Sequence, residues 1–115
     1  MIENGDCIRE VRHSGQDIIV VLNGAIDLHH TPDVHRALVA ACDEKPRVLV
    51  VNLADVTYMD SSGIGTLVEV FRRVNAYRGR LALCGMNERV HSVFEITKLD
   101  KFFRIVATES EALAE

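Results

Sequence analysis

The segment covering residues 48–65 constrains the fold more than any other part of this chain. It begins with a continuous apolar run, residues 48–51, which is typical of a strand buried on both faces. A polar stretch that predicts a turn follows, and then Asp60-Ser61-Ser62-Gly63. Apolar residues next recur at helical spacing, at Ile64, Leu67, Val68, Phe71 and Val74. We therefore expect both serines at the N-terminus of a helix, where unpaired N–H groups and partial positive charge suit a phosphate, including one carried covalently by a serine.

The rest of the chain alternates between strand and helix patterns. Two strands joined by Ser14-Gly15-Gln16 are predicted to form an antiparallel hairpin, with the more polar first strand at the edge of the sheet. Asn23-Gly24 is predicted to end the second strand, Thr31 to cap the first helix, Gly79 to end the second helix and Asn87 to cap the third. The other predicted bounds are strands at 7–13, 17–23, 80–85 and 102–106 and a short final helix at 109–114. The resulting order, ββαβαβαβα, predicts an α/β fold in which right-handed crossovers build a mixed sheet with helices packed on it.

Length and composition limit the classes of protein to which this chain can belong. Its 115 residues, 48% of them apolar, suit a single domain spanning residues 1–115 with one hydrophobic core. The net charge is −4 and no basic cluster is longer than Arg72-Arg73, which argues against a nucleic acid or an anionic membrane as partner. No apolar run approaches the ~20 residues of a membrane helix, and the N-terminus does not resemble a secretory signal. We therefore expect a cytoplasmic protein in which Cys7, Cys42 and Cys84 are free thiols.

The run Asp60-Ser61-Ser62-Gly63-Ile64-Gly65 is the sharpest candidate for a functional site. It can be explained simply as a helix start, in which Asp60 or Ser61 caps the helix and the glycines allow the turn. Two details favour a functional role. Glycines in a first helical turn cost about 1 kcal/mol each relative to alanine, and one cap does not require two serines. We interpret both glycines as positions where another protein approaches the backbone closely. The run lacks the glycine spacing and the Lys-Ser/Thr ending of a P-loop.

The polar run Asp27-Leu28-His29-His30, which follows the second predicted strand, is another candidate. Such a run is also typical of an ordinary loop before a helix. Adjacent side chains of this kind can ligate a metal, but that site would need a further ligand close by, which the sequence does not show; we predict no metal and no cofactor. A loop that lies beside Ser61 is better interpreted as part of a docking face. The chain also lacks a Gly-x-Ser-x-Gly nucleophile elbow, and we predict that it is not an enzyme.

Several of these stretches together resemble the STAS-domain anti-sigma factor antagonists of bacteria, over nearly the whole chain. Leu22-Asn23-Gly24-Ala25-Ile26-Asp27 resembles the family's L-x-G-x-hydrophobic-D pattern after the second strand. Val50-Val51-Asn52-Leu53, followed by Tyr58-Met59 and the run from Asp60, resembles its Asp-Ser-Ser/Thr-Gly-hydrophobic-Gly motif at a strand-to-helix junction. The resemblance implies one mixed sheet with helices.

The resemblance also implies a partner switch controlled by phosphorylation. In this family the unphosphorylated antagonist binds an anti-sigma factor that is itself a serine kinase, and so frees a sigma factor. The kinase then phosphorylates the first serine of the motif, here Ser61, and a PP2C-type phosphatase reverses the modification. The partner-binding residues expected around it are Asp27, His29, His30, Asp60, Ser62, Gly63, Ile64 and Gly65. We expect the helix end to hold the phosphate charge, so that phosphorylation weakens docking by charge and desolvation and not by a change of shape.

Two other functions stay open at this point. The chain can be a STAS adaptor or regulatory subunit of another bacterial signalling complex, for example one that controls biofilm, motility or stress. It can also be a small nucleotide-binding protein that uses the same helix end. Leu28 departs from the family pattern, in which a second polar residue is common at this position. The partner specificity of this protein can therefore differ from that of other family members.

Overall fold

The computed structural model describes residues 7–114, and its elements follow the predicted order. The strands are β1 (Ile8–Ser14), β2 (Asp17–Ile26), β3 (Val48–Met59), β4 (Arg80–Cys84) and β5 (Arg104–Val106). The helices are α1 (Thr31–Asp43), α2 (Ser61–Ala76), α3 (Glu88–Ile96) and α4 (Glu109–Leu113). The predicted α/β class and the order ββαβαβαβα are confirmed.

The five strands form one mixed sheet in the order β1-β2-β3-β4-β5. Strand β1 pairs antiparallel with β2 at the edge of the sheet, as predicted, and the other neighbours are parallel. Helices α1, α2 and α3 pack into one apolar cluster on one face, while Ala112 of α4 packs against the other face. Strand β3 lies at the centre, and residues 48–51 are 0% exposed because both of its faces are covered.

Strands β2 and β3 both run further than the sequence predicted. Asn23-Gly24 does not end β2, because Gly24 adopts a positive φ of 78° within an irregular stretch and pairing continues to Ile26 opposite Met59. The polar stretch before Asp60 is likewise strand and not a turn. Its polar side chains are tolerated because they are exposed there, while the backbone remains paired. Both strands consequently end at the same level of the sheet.

The ends of two helices also differ from the predictions. Thr31 is the first residue of α1 and not its cap; His30 occupies the cap position without a side-chain cap bond. Helix α2 ends at Ala76, and the positive φ that follows belongs to Arg78 (67°) and not to Gly79. A Cβ at Gly79 would lie 2.4 Å from the ring of Tyr77, so this glycine makes room for an aromatic ring.

Other helix and strand ends are close to the predictions. Asn87 caps α3 as predicted, accepting a hydrogen bond from the Val90 N–H (2.8 Å). The hairpin connection is two residues, Gly15-Gln16, because Ser14 still pairs with Asp17. Strand β5 begins only at Arg104. The two residues before it, Phe102 and Phe103, join the rings of Phe71 and Phe94 in an aromatic cluster.

Two further findings concern the described residues as a whole. Among them, Cys7, Cys42 and Cys84 are free thiols, as predicted. Within residues 7–114, none of the helices combines the length and the apolar character needed to span a membrane.

Candidate functional site

The two candidate segments of the sequence meet at the carboxyl ends of β2 and β3. These strands are parallel neighbours, and their last residues, Ile26 and Met59, face each other. The N–H of Asp60 donates to the carbonyl of Ile26 (3.2 Å), which ties the start of α2 to the end of β2. The loop before α1 and the N-terminus of α2 therefore form one surface. This proximity is the condition under which the loop was predicted to be part of a docking face, and that role stays a prediction.

Asp60 is the N-cap of α2 and organises this surface. Its carboxylate accepts hydrogen bonds from the Ser62 N–H (2.9 Å), the Gly63 N–H (3.4 Å) and the Ser62 hydroxyl (2.6 Å). The hydrogen bond from the Ser62 hydroxyl is the main cause that lowers the pKa of Asp60, with further contributions from backbone N–H groups that include Leu28. Asp60 is thus an ionised cap that also touches the neighbouring loop.

This cap changes the expectation that the helix end would hold a phosphate. The N–H groups of Ser62 and Gly63 already donate to the Asp60 carboxylate. An added phosphate would therefore have to compete with this carboxylate for the same two N–H donors. The same competition disfavours a nucleotide phosphate at this helix end.

The two adjacent serines have different surroundings. Ser61 is exposed, and its hydroxyl makes no hydrogen bond to any residue in the described range 7–114. Ser62 is half-buried, and its hydroxyl is held by Asp60 at 2.6 Å. A modifying enzyme can therefore reach the Ser61 hydroxyl without breaking an internal bond, whereas the Ser62 hydroxyl must first leave a charged partner.

Asp27 shapes the loop before α1. Its carboxylate accepts hydrogen bonds from the His29 N–H (3.1 Å), the His30 N–H (3.2 Å) and Nδ1 of His30 (2.8 Å). Desolvation raises the pKa of Asp27, but the hydrogen bonds and charge of His30 outweigh it, and the pKa lies below its ordinary value. The ring centroids of His29 and His30 are 5.1 Å apart. No group of three or more histidine, cysteine, aspartate and glutamate side chains suited to a metal ion occurs in the described part of the chain.

The other predicted docking residues shape the site in different ways. Gly63 is buried, and a Cβ there would lie 2.6 Å from Met59 Cγ and 3.2 Å from the Ile26 carbonyl oxygen. Internal packing therefore explains this glycine without an approaching protein, contrary to our interpretation from the sequence. Ile64 is 6% exposed and supports the site from the core. Gly65 is exposed, with no atom within 4 Å of a Cβ, so packing does not explain it.

Two exposed apolar side chains belong to the segments that lead into this surface. Leu28 is 74% exposed at the turn before α1, and Tyr58 is 43% exposed near the end of β3. From the sequence, Leu28 is only a departure from the family pattern, and Tyr58 was not predicted to be a site residue. The available signal was a large apolar residue between the polar residues of a predicted loop.

Comparison with known proteins identifies the family to which this chain is similar. The sequence model of the STAS domain matches residues 9–112. The "Anti-sigma F factor antagonist" of Paenibacillus polymyxa is 32% identical over 108 residues, which cover 92% of each chain. The "Anti-sigma-B factor antagonist" of Bacillus subtilis is 36% identical over 98 residues, which cover 85% of this chain and 89% of the relative.

Solved structures share the fold. The anti-sigma factor antagonist SpoIIAA in its unphosphorylated form matches with a TM-score of 0.78 at 24% identity, covering 90% of this chain and 91% of that chain. SpoIIAA of Bacillus in its phosphorylated form matches with a TM-score of 0.70 at 23% identity, covering 90% of this chain and 95% of that chain. The match over nearly the full length, together with relatives above 30% identity, shows that this chain belongs to the STAS domain family of anti-sigma factor antagonists.

Proposed function

We propose that this protein is a phosphorylation-controlled partner switch of the cytoplasm. In its unphosphorylated form it binds an anti-sigma factor that is a serine kinase, and a sigma factor is released. The kinase phosphorylates Ser61, and a PP2C-type phosphatase restores the binding form. The protein itself performs no catalysis; it acts through the surface formed by the 27–30 loop and the start of α2.

The difference between the two serines carries this proposal. The Ser61 hydroxyl is exposed and makes no hydrogen bond within residues 7–114, while the Ser62 hydroxyl is bonded to Asp60. A kinase needs a hydroxyl that can enter its active site and lose a proton to a base. Ser61 meets that requirement in the folded state, and it is also the first serine of the motif.

The charges around Ser61 explain how phosphorylation would act. Phosphoserine adds about −1.5 to −2 charges at neutral pH. The adjacent Asp60 is ionised and already bonds the N–H groups of Ser62 and Gly63, and segments 27–31 and 58–66 contain no lysine or arginine. A partner surface that fits a neutral hydroxyl would have to desolvate the new charge without a counter-charge from these two segments. The cost of desolvating the phosphate at a contact that fits a neutral hydroxyl would then release the partner while the backbone stays in place.

The relatives support the kind of partner. The names of the relatives in Paenibacillus polymyxa and Bacillus subtilis each state an anti-sigma factor as the target. SpoIIAA, which has the same fold, has been solved both with and without phosphate. By extension from these relatives, we propose an anti-sigma factor as the partner of this chain and a phosphorylated form as its inactive state.

Phosphosite mapping by mass spectrometry tests the proposal. The protein would be isolated from its native host as wild type, Ser61→Ala and Ser62→Ala. We expect phosphate on Ser61 in the wild type and in Ser62→Ala, and none in Ser61→Ala. Phosphate confined to Ser62 would contradict the assignment of the acceptor. An unmodified Ser61 under every growth condition would favour a constitutive STAS adaptor, in which the serines serve only the helix start.

A further inference from the structure

Leu28 presents a large exposed apolar side chain on the surface around Ser61. It is 74% exposed, although the residues on either side of it are polar. Full burial of a leucine side chain is favourable by about 1.5–3 kcal/mol relative to exposure. A partner that covers the Leu28 side chain would therefore gain binding free energy from its burial.

Hydrogen bonds on both sides hold the turn that carries Leu28. Before it, the Asp27 carboxylate bonds the backbone of His29 and His30. After it, the Thr31 hydroxyl donates to the Leu28 carbonyl (3.4 Å), and the Thr31 N–H donates to the Asp27 carbonyl (2.9 Å). The leucine is thus presented on a defined backbone, so that this loop loses little conformational entropy when a partner covers the side chain.

Leu28 also lies next to the proposed phosphorylation site. The N–H of Asp60, the residue immediately before Ser61, donates to the carbonyl of Ile26 (3.2 Å), and Leu28 follows Ile26 by two residues. The Leu28 backbone also contributes to lowering the pKa of Asp60. A partner that covers the Ser61 hydroxyl therefore meets Leu28 as well. Tyr58 adds a second exposed apolar surface at the end of β3.

The charge around Leu28 limits what this partner can be. Asp27 and Asp60 flank it, and segments 27–31 and 58–66 contain no lysine or arginine. A complementary surface consists of an apolar pocket with basic side chains at its rim.

We propose that Leu28 is an apolar anchor that inserts into an apolar pocket with a basic rim on the anti-sigma factor, and that this contact selects the partner. The inference rests on the proposed function, because it names the chemistry by which the partner recognises the same surface. A side chain that fills a pocket at the centre of an interface contributes much more than its neighbours, so its truncation weakens binding by about tenfold or more.

Calorimetric titration tests this anchor. The unphosphorylated protein would be titrated with each purified anti-sigma factor of the source organism, first as wild type and then as Leu28→Ala, Leu28→Met and Ile96→Ala. Ile96 is the matched control, since it is 80% exposed at the last residue of α3. We expect Leu28→Ala to raise Kd by about tenfold or more, and Leu28→Met and Ile96→Ala to stay within about threefold of wild type. Raising the salt concentration should weaken wild-type binding, because the basic rim is screened.

The possible outcomes separate the two proposals. If no anti-sigma factor binds the wild type, the proposed function fails and this inference fails with it. If the wild type binds and Leu28→Ala binds equally well, only the anchor is overturned. Equal losses for Leu28→Ala and Ile96→Ala would also overturn it, because they would indicate unspecific apolar adhesion. Binding that is unchanged or strengthened by salt would contradict the proposal that the partner's pocket has a basic rim.

Discussion

Replacing Gly63 with alanine tests whether internal packing fixes this glycine. Gly63 lies in the first turn of α2, where alanine would normally stabilise a helix by about 1 kcal/mol relative to glycine. Here the added Cβ would lie 2.6 Å from Met59 Cγ, 3.1 Å from Ile26 Cγ2 and 3.2 Å from the Ile26 carbonyl oxygen. Relief of these contacts requires the start of α2 to move away from the ends of β2 and β3, because one of the three atoms belongs to the backbone.

Gly65→Ala supplies the matched control for this magnitude. It lies two residues further along the same helix, is exposed and has no atom within 4 Å of its Cβ. Only the gain in helix propensity acts there, and we expect stabilisation of about 0.5–1 kcal/mol. Gly63→Ala has the same gain but adds overpacking, which costs about 1–3 kcal/mol. The propensity terms cancel in the comparison, so Gly63→Ala should be less stable than Gly65→Ala by about 1–3 kcal/mol.

Urea unfolding of the two variants measures this difference. The midpoints should separate in the stated direction at a common m-value, because neither change alters the surface exposed on unfolding. A Gly63→Ala protein that is at least as stable as Gly65→Ala would refute the packing argument. It would restore our interpretation from the sequence, in which both glycines leave room for another protein.

Three further predictions follow from other contacts. Asp60→Ala should lower the free energy of unfolding by about 0.5–2 kcal/mol in urea at pH 7, because the carboxylate caps α2. A hydrogen bond from a serine hydroxyl lowers the pKa of Asp60 in the folded state, so its stabilisation is complete above the unfolded pKa of about 4 and is lost as pH falls through the folded value. Asp17→Ala should cost about 1–3 kcal/mol in the same assay, because this buried carboxylate accepts two hydrogen bonds from Arg47 (3.1 and 2.8 Å) and one from a backbone N–H of β3. Iodoacetamide at about pH 8 should label Cys7 well before Cys84, as timed mass spectrometry would show, because burial raises the pKa of Cys84 to about 11.

Each of these predictions has a control in the chain itself. Asp60→Asn keeps an acceptor oxygen and should retain most of the cap while losing the acid sensitivity; the same acid sensitivity in wild type and Asp60→Asn would contradict the argument. Asp55→Ala removes an exposed ion pair with Arg9 (3.3 Å) and should cost at most about 1 kcal/mol. A loss for Asp17→Ala no larger than that for Asp55→Ala would contradict the role of the buried carboxylate. Equal labelling rates for the cysteines would contradict their different burial.

The junction between β3 and α2 could be predicted because several local signals agree there. The apolar run, the capping aspartate and the helical spacing of apolar residues all place Ser61 at a helix start. The bounds of β2 and β3 could not be predicted in the same way. Gly24 and Asp55 have poor intrinsic strand preference, and what keeps them in strands is pairing between two segments about 30 residues apart. Periodicity within one segment does not report such pairing.

The site shows the same division between local and distant causes. The presence of Asp60, Ser61 and the 27–30 loop on one face follows from parallel strands ending at the same edge of a sheet. The packing that requires glycine at position 63 involves Met59 and Ile26. The hydrogen bond of the Ser62 hydroxyl depends on the direction of the Asp60 carboxylate. These contacts depend on the three-dimensional fold, and they cannot be predicted from the sequence pattern alone.

The affinity of the anti-sigma factor for this protein before and after phosphorylation of Ser61 is the most direct measurement of the switch. The wild type would be titrated unphosphorylated and fully phosphorylated, beside Ser61→Ala treated in the same way with kinase. We expect phosphorylation to weaken wild-type binding by at least about tenfold and to leave the affinity of Ser61→Ala unchanged. Equal affinities of the two wild-type forms would contradict the proposal that charge at Ser61 controls docking.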